Sequence, residues 1–258
     1  MSKVTSSSLE SIIPQGCHWY NYSCAYDAIV FILYNIWASD IDYFSIKFRE
    51  LNSEWLGLMS DSFKKHINKQ YSLEQIQDYI CHRLCNVYPD HFKFGANASV
   101  EDVFSKIFTG STVFNKVYCT CSNGHQTHII ESYNCSFYLG GTGELQWTTI
   151  QDFFNICNNR PVSQKCNVCG CNMKKIDMLM YAPGMIAVVV SWTAIPADHT
   201  LHININENAT QYILCGIIYF RENHFTAQYI DNTQTVWFND GIELVEGPFQ
   251  RVISLILT

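Results

Sequence analysis

The sequence predicts an α+β fold in which a helical first part precedes a part rich in β-strands. Apolar residues recur at helical spacing over residues 25–37, and Ser72 and Ser99 open two further helical segments as capping residues. From Ser111 onward, β-branched and aromatic residues dominate, as they do in strands. Helices and strands that are separated along the chain are typical of the α+β class.

The predicted elements follow this division in order. Helices are expected at residues 25–37, 53–67, 72–88, 99–108 and 149–157. Strands are expected at residues 112–120, 128–139, 184–192, 202–205, 211–220, 225–230, 236–238 and 252–257, with the later ones forming an antiparallel set. Residues 1–15 are expected to be a flexible lead and residues 16–258 a single domain. Its helical part covers about 16–110, a cysteine-bearing part about 111–183, and a β part about 184–258.

Composition excludes several classes of protein. The chain of 258 residues is 48% hydrophobic and 15% charged, which supports a large core rather than disorder. A net charge of −7 disfavours nucleic acid as a partner, and no apolar run is long enough to span a membrane. The first residues lack the apolar core of a signal peptide. We expect a monomer inside the cell, in the cytoplasm or nucleus.

The cysteines do not require a secreted protein. There are twelve, and four Asn-x-Ser/Thr sequons accompany them, which together would fit a disulfide framework. A chain this long and apolar needs no such framework, however, and several of the cysteines lie within apolar runs as reduced core residues do.

Cys24 is the candidate nucleophile. It lies where a loop turns into a helix, and the free N–H groups and positive dipole of a helix N-terminus favour a thiolate. Asn21 could supply an oxyanion donor beside the backbone N–H of Cys24. Cys17 is a competing nucleophile, although no helix begins directly after it. A buried cysteine that only begins a core helix would give the same local sequence.

The candidate base lies about 200 residues later. His224 begins an alternating strand, and a polar turn leads to a second strand that ends in Asn239 and Asp240. Either of these side chains could fix the imidazole, but strand alternation turns only one of them to its face. Asn239 is the preferred orienting residue and Asp240 its alternate. A surface hairpin with an incidental histidine is the other interpretation.

Two cysteine clusters between these segments predict one structural zinc site. The second has the spacing Cys-x-x-Cys-Gly, which is typical of zinc knuckles, whereas the first has the irregular spacing Cys-x-Cys followed by a histidine. Four protein ligands would leave no open position for a catalytic water. The expected ligands are Cys119, Cys121, Cys166 and Cys169, with His125 and Cys171 as alternates.

In their order, these motifs resemble the catalytic domain of ubiquitin-specific proteases, which are papain-like cysteine proteases. Residues 21–27 resemble the family's cysteine box, and residues 223–229 and 237–240 resemble its histidine box. Residues 183–190 and 212–219 resemble two of its strands, so the likeness covers residues 16–242. Asn223 replaces a glycine of the family, and Trp19 stands at the usual oxyanion position. This altered cysteine box is similar to that of the SUMO-directed relatives.

The resemblance implies a helical thumb, zinc-bearing fingers and an antiparallel β palm. It implies a cysteine isopeptidase that removes ubiquitin or a ubiquitin-like modifier, SUMO included, from lysine side chains. Cys24, His224 and Asn239 would form the triad, with Asp240 in support. The alternatives are a catalytically silent modifier-binding module of the same fold, or another Cys-His-Asn/Asp enzyme such as a papain-like peptidase or a transglutaminase.

Overall fold

A computed structural model of the chain describes residues 13–139, 148–157, 160–190, 195, 197–205, 208–240 and 251–257. At positions 157, 160 and 251–257 only the backbone is described. The predicted lead therefore lies mostly outside the described residues. The helices within these ranges are α1 (Cys24–Ser39), α2 (Ile41–Leu51), α3 (Leu56–Ile67), α4 (Leu73–Val87), α5 (Val100–Ile107) and α6 (Ile150–Cys157).

Helices α1 to α5 are here called the helical lobe. Helix α1 lies at its centre because the sequence of α1 is apolar on every side. All but its last two residues are buried, and it packs against α2, α3, α4 and α5 and against the large sheet. Gly216 allows the closest approach, since a Cβ atom there would lie 2.6 Å from Cγ2 of Ile32. At the far end of α1, Nε1 of Trp37 lies 2.9 Å from the hydroxyl of Ser45 and 3.0 Å from that of Ser60.

The predicted helix starts at Ser72 and Ser99 are confirmed. Ser72 and Gln75 form a reciprocal capping box at the start of α4, and the Ser99 hydroxyl accepts the Glu101 N–H at the start of α5. The sequence prediction gave no bounds for α2, although Ser39 and Asp40 were expected either to end the first helix or to begin the next. The structure shows that Asp40 is the N-cap of α2, since its side chain accepts the N–H of Tyr43.

The strands form a small sheet and a large one. The small sheet has the order β2-β1-β5-β4, and the large sheet has the order β10-β9-β8-β11-β6-β3, with β7 paired to β8. The strands are β1 (Asn115–Cys121), β2 (Ile130–Ser132), β3 (Ser136–Leu139), β4 (Arg160–Lys165), β5 (Asn172–Leu179), β6 (Ile186–Val190), β7 (Thr200–Ile205), β8 (Asn208–Arg221), β9 (His224–Ile230), β10 (Val236–Asn239) and β11 (Arg251–Leu257).

Three features of the sheets differ from the sequence prediction. The single strand expected at residues 128–139 is two strands, β2 in the small sheet and β3 in the large sheet. Strands β4 and β5 were not predicted, because their polar and charged residues give a weak strand pattern. Strand β3 pairs parallel to β6, not antiparallel. A parallel pair needs a long crossover connection, and here α6, β4 and β5 lie between the two strands.

Within the described ranges, none of the helices combines the length and the apolar character that a membrane span requires.

Candidate functional site

Cys24 is the first residue of α1. The preceding Ser23 does not cap the helix with its side chain. Its hydroxyl instead accepts the Tyr20 N–H at 3.0 Å and donates to Oδ2 of Asp27 at 2.5 Å. The turn before the cysteine is thereby tied to the first turn of the helix, and Cys24 itself is 6% exposed. The thiol thus lies at the N-terminus of α1, where the helix dipole is positive, and the hydrogen bonds of Ser23 hold the backbone before it in place.

His224 begins β9 and is held from the end of β10, the neighbouring strand. Its Nε2 atom lies 2.6 Å from Oδ1 of Asp240 and 3.1 Å from the carbonyl oxygen of the same residue. Both side chains are mostly buried. Burial alone would lower the pKa of His224, but hydrogen bonds to the Cys24 thiol and to Asp240 raise it to about 9. The imidazole is therefore charged at neutral pH, bonds to a carboxylate and lies near the thiol.

In the structure, the residue bonded to His224 is not Asn239, the preferred orienting residue. The carboxylate on His224 belongs to Asp240, the alternate, while the amide of Asn239 lies against the backbone of Gly16. Side chains alternate between faces along β10, so two consecutive residues cannot both meet the imidazole. Strand β10 ends at Asn239, so Asp240 lies just beyond the strand, where its carboxylate bonds to His224.

Asn21 does not lie where an oxyanion donor was expected. Its amide packs against Gly95, in the loop after α4, and is exposed. The backbones of Asn21 and Tyr22 have φ angles of +52° and +62°, and these left-handed conformations turn the side chain toward that loop. Among the described contacts, none joins the Asn21 amide to Cys24. The backbone N–H of Cys24 is the donor that remains at this position.

Cys17, the competing nucleophile, is 2% exposed. Burial raises the pKa of its thiol well above the ordinary value, and the nearby carboxylates of Asp27, Glu74 and Asp78 add to the effect. A thiol held neutral in this way is a poor nucleophile.

Asp27 is a site residue that the sequence prediction missed. It is 4% exposed, and its Oδ1 atom has no hydrogen-bond partner among the residues that the structure describes. Burial raises its pKa to about 7 against the lowering effect of the Ser23 hydroxyl, and Glu74 raises it further. The available signal was a single carboxylate in the otherwise apolar first turns of α1, one turn beyond the cysteine.

A groove of about 460 Å³ lies between α5 and the large sheet; its lining includes Asn223 and Phe225, the chain neighbours of His224, but neither His224 nor Cys24. One wall carries the carboxylates of Glu101 and Asp102. The opposite wall is mostly apolar and is formed by Val189, Val190, Phe220 and Phe225, with Asn223 next to His224. Burial and the charge of Asp102 raise the pKa of Glu101. The groove can take an extended segment with both apolar and basic side chains.

The group of donors that could hold a metal differs from the expected ligand set by a single residue. Four donor atoms, from Cys121, His125, Cys166 and Cys169, all lie within 4.8 Å of one another. Nδ1 of His125 lies 3.6 Å from the sulfur of Cys121 and 3.6 Å from that of Cys166. Three thiols and an imidazole at this separation fit a tetrahedral zinc ion. His125, an alternate in the sequence prediction, thus replaces Cys119.

Two tight turns bring these ligands together. Gly124 and Gly170 have φ angles of +78° and +71°, and each turn closes by a backbone bond from the glycine N–H to the carbonyl of the cysteine that begins it. The first turn returns His125 beside Cys121, whereas Cys119 stays in mid-strand, paired with Lys175. Backbone N–H groups of Cys169 and Val168 lower the pKa of Cys166 to about 6, which favours the thiolate a metal requires.

The other alternate ligand, Cys171, and the displaced Cys119 both pack against this cluster. They lie outside the group of four donors. All four donors lie in the two segments from which the expected ligands came, but which residues of each segment meet depends on the turns.

Comparisons with known proteins identify the fold. No protein-family model matches the chain, and no curated protein matches it significantly. Among solved structures, it is similar to a SAGA DUB module, Ubp8/Sgf11/Sus1/Sgf73 bound to monoubiquitin, with a TM-score of 0.50 and 13% identity over 96% of this chain and 71% of that one. The yeast SAGA DUB module with a variant Sgf73 gives a TM-score of 0.51 and 11% identity over 94% and 68%.

The catalytic unit of Neurospora crassa Pan2, with protease and nuclease domains, gives a TM-score of 0.58 and 10% identity over 95% of this chain and 57% of that one. At such identities the likenesses show the fold alone. They support the ubiquitin-specific-protease-like architecture that the motifs imply.

Proposed function

We propose that the chain is a thiol isopeptidase that removes ubiquitin or a ubiquitin-like modifier from lysine side chains. One observation carries the proposal: the Cys24 thiol at the start of a helix lies near enough to His224 to raise the pKa of the imidazole, and the carboxylate of Asp240 bonds to the same ring. A nucleophile, a base and an orienting group in this order are the parts of a cysteine-protease triad. Similarity to a deubiquitinating module bound to monoubiquitin supports this choice of substrate class.

In the proposed reaction, the Cys24 sulfur attacks the carbonyl carbon of the modifier's terminal glycine. The charged His224 gives its proton to the departing lysine amine as the C–N bond breaks, which leaves a thioester. His224 then takes a proton from water, which attacks the thioester carbonyl; the C–S bond breaks, the modifier leaves with a carboxyl terminus, and the thiolate of Cys24 returns beside the charged His224. Asp240 keeps the imidazole oriented through both steps, and the backbone N–H of Cys24 stabilises the oxyanion.

The groove between α5 and the large sheet, which Asn223 and Phe225 line, would take the modifier's tail. A tail that ends in two glycines is narrow enough to reach the thiol, and the carboxylates of Glu101 and Asp102 favour a basic side chain before those glycines. The small sheet would support the globular body of the modifier. Its zinc ion, held by Cys121, His125, Cys166 and Cys169, would fix that sheet and take no part in the reaction.

The test is reaction with ubiquitin and SUMO probes that carry a C-terminal electrophile. We expect the wild type to form a covalent adduct with at least one of them, and the Cys24→Ala variant to form none. Cys135→Ala, which changes a buried thiol far along the chain from the proposed triad, should still react. Labelling that persists in Cys24→Ala, or that is lost in Cys135→Ala with the fold intact, would contradict the assignment.

A second candidate is a modifier-binding module without activity. It is favoured by the position of Asn21, because an oxyanion hole without a side-chain donor is weaker than one with two donors. Binding of unmodified ubiquitin or SUMO by calorimetry, together with the absence of both adduct formation and cleavage of a fluorogenic conjugate, would establish this candidate.

A further inference from the structure

Residues 15–18, here called the strap, cross the helical lobe just before Cys24. The backbone of Gln15 makes two bonds with the buried side chain of Asn35: its N–H donates to Oδ1 at 3.1 Å, and its carbonyl accepts from Nδ2 at 2.9 Å. Oε1 of Gln15 lies 2.8 Å from Nε2 of His66. The N–H of His18 donates to Glu74 at 3.3 Å. The strap is thus fixed to α1, α3 and α4.

The middle of the strap meets the histidine hairpin. A Cβ atom at Gly16 would lie 2.5 Å from Nδ2 and 2.7 Å from Cγ of Asn239, so the backbone of Gly16 and the amide of Asn239 are in direct contact. There is no room between them for a methyl group. The residue after Asn239 is Asp240, whose carboxylate holds His224. The strap and the histidine are therefore linked through two consecutive residues.

We propose that Gly16 and Asn239 are positioning residues: the strap packs against Asn239 and thereby holds Asp240 on His224. This inference rests on the proposed function, since it assigns a role in orienting the base. The helical lobe carries the nucleophile and the sheet carries the base, so a rigid link between the two lobes sets their relative position. Displacing a catalytic group by about 1 Å lowers the rate by about 10²-fold.

The experiment compares Gly16→Ala, Asn239→Ala and the double variant in cleavage of a fluorogenic modifier conjugate. Gly16→Ala should lower kcat by about 10- to 100-fold with little change in KM, because the displaced hairpin loosens the base and leaves the groove intact. In the double variant, removal of the amide makes space for the new methyl group. Its kcat should therefore recover at least fivefold over Gly16→Ala.

The titration of His224, followed by NMR, gives a readout that needs no turnover. In Gly16→Ala and in Asn239→Ala its midpoint should move to lower pH as the contact with Asp240 loosens. Gly57→Ala is the matched control, because its Cβ would meet the flexible side chain of Arg49 in the helical lobe, far along the chain from the hairpin. This control should leave both kcat and the titration unchanged.

Wild-type kcat and a wild-type His224 titration in Gly16→Ala would overturn the proposal, and so would a double variant no more active than Gly16→Ala. If Gly16→Ala does not fold, Asn239→Ala still tests the proposal, because it removes the contact with Gly16 without adding any atom. An unshifted His224 titration in Asn239→Ala overturns the positioning role. A wild type that cleaves no conjugate contradicts the proposed function, whereas the NMR comparison still tests the strap.

Discussion

Oδ1 of Asp240 lies 2.6 Å from Nε2 of His224, so the histidine that begins one strand is oriented from the end of the next. With Nε2 engaged in this way, Nδ1 is the ring nitrogen left to face the thiol of Cys24. A fixed ring with one nitrogen free is what proton transfer to and from a thiol requires. The same contact separates the roles of Asn239 and Asp240, which the sequence could not do.

Replacement of Asp240 by Asn should reduce kcat by about 10²- to 10⁴-fold, because the imidazolium loses its negative partner and its orientation weakens. Steady-state cleavage of a fluorogenic conjugate measures the effect. The control is Glu222→Gln, which removes a largely exposed carboxylate two residues before the histidine and should change kcat less than twofold. Full activity in Asp240→Asn would mean that another group orients His224.

The rate of reaction with an electrophilic probe should stay high through neutral pH and fall above about pH 9. The pKa of His224 is raised to about 9, so the imidazolium persists below that value and is lost as the pH rises through it. In Asp240→Asn the fall should begin at lower pH, since a hydrogen bond that raises the pKa has been weakened. An alkaline limb at the same pH in both proteins would contradict the coupling of His224 to Asp240.

Removal of the metal ligands should unfold the small sheet and leave the triad in place. Cys166→Ser should reduce bound zinc, measured by elemental analysis, and lower the melting temperature by several degrees, because metal binding is coupled to folding. Cys119→Ser is the matched control: this thiol packs beside the four donors but is outside the group, and zinc should be retained. Equal zinc loss in both variants would show that Cys119 is a ligand, as the sequence predicted.

Asp27 should make the protein less stable as the pH rises. Its pKa is about 7 in the folded chain, above the ordinary 3.8, so the folded state keeps a proton that the unfolded chain releases between these values. The associated stability is complete below about pH 4 and is lost as the pH rises through 7. Asp27→Asn keeps an acceptor for Ser23 and should be more stable than wild type at pH 8 by about 1–3 kcal/mol.

Thermal unfolding at pH 5 and pH 8 measures this difference. Asp42→Asn, an exposed change in the first turn of α2, serves as the control and should follow the pH dependence of the wild type. Identical pH dependence in Asp27→Asn and in the wild type would show that the buried carboxyl is not what titrates.

The central helix, the caps at Ser72 and Ser99 and the histidine hairpin were predictable because their signals are local. Apolar periodicity, capping residues and strand alternation depend on neighbours within a few positions. Strands β4 and β5 carried no such signal, since their charged residues form strands only when paired with β1 and with each other. Asp27 was missed for a related reason: its burial depends on side chains that α4 brings to it.

The sequence by itself determined which chemical groups this protein has for its site: a thiol at a helix start, a histidine followed by two polar residues, and two cysteine turns. Only the tertiary structure decided which members of each set meet. Asp240 rather than Asn239 contacts His224, His125 rather than Cys119 completes the metal ligands, and Gly16 lies against Asn239. Side-chain direction at the end of a strand or turn depends on backbone angles and on packing from distant segments, and no local pattern in the sequence specifies these.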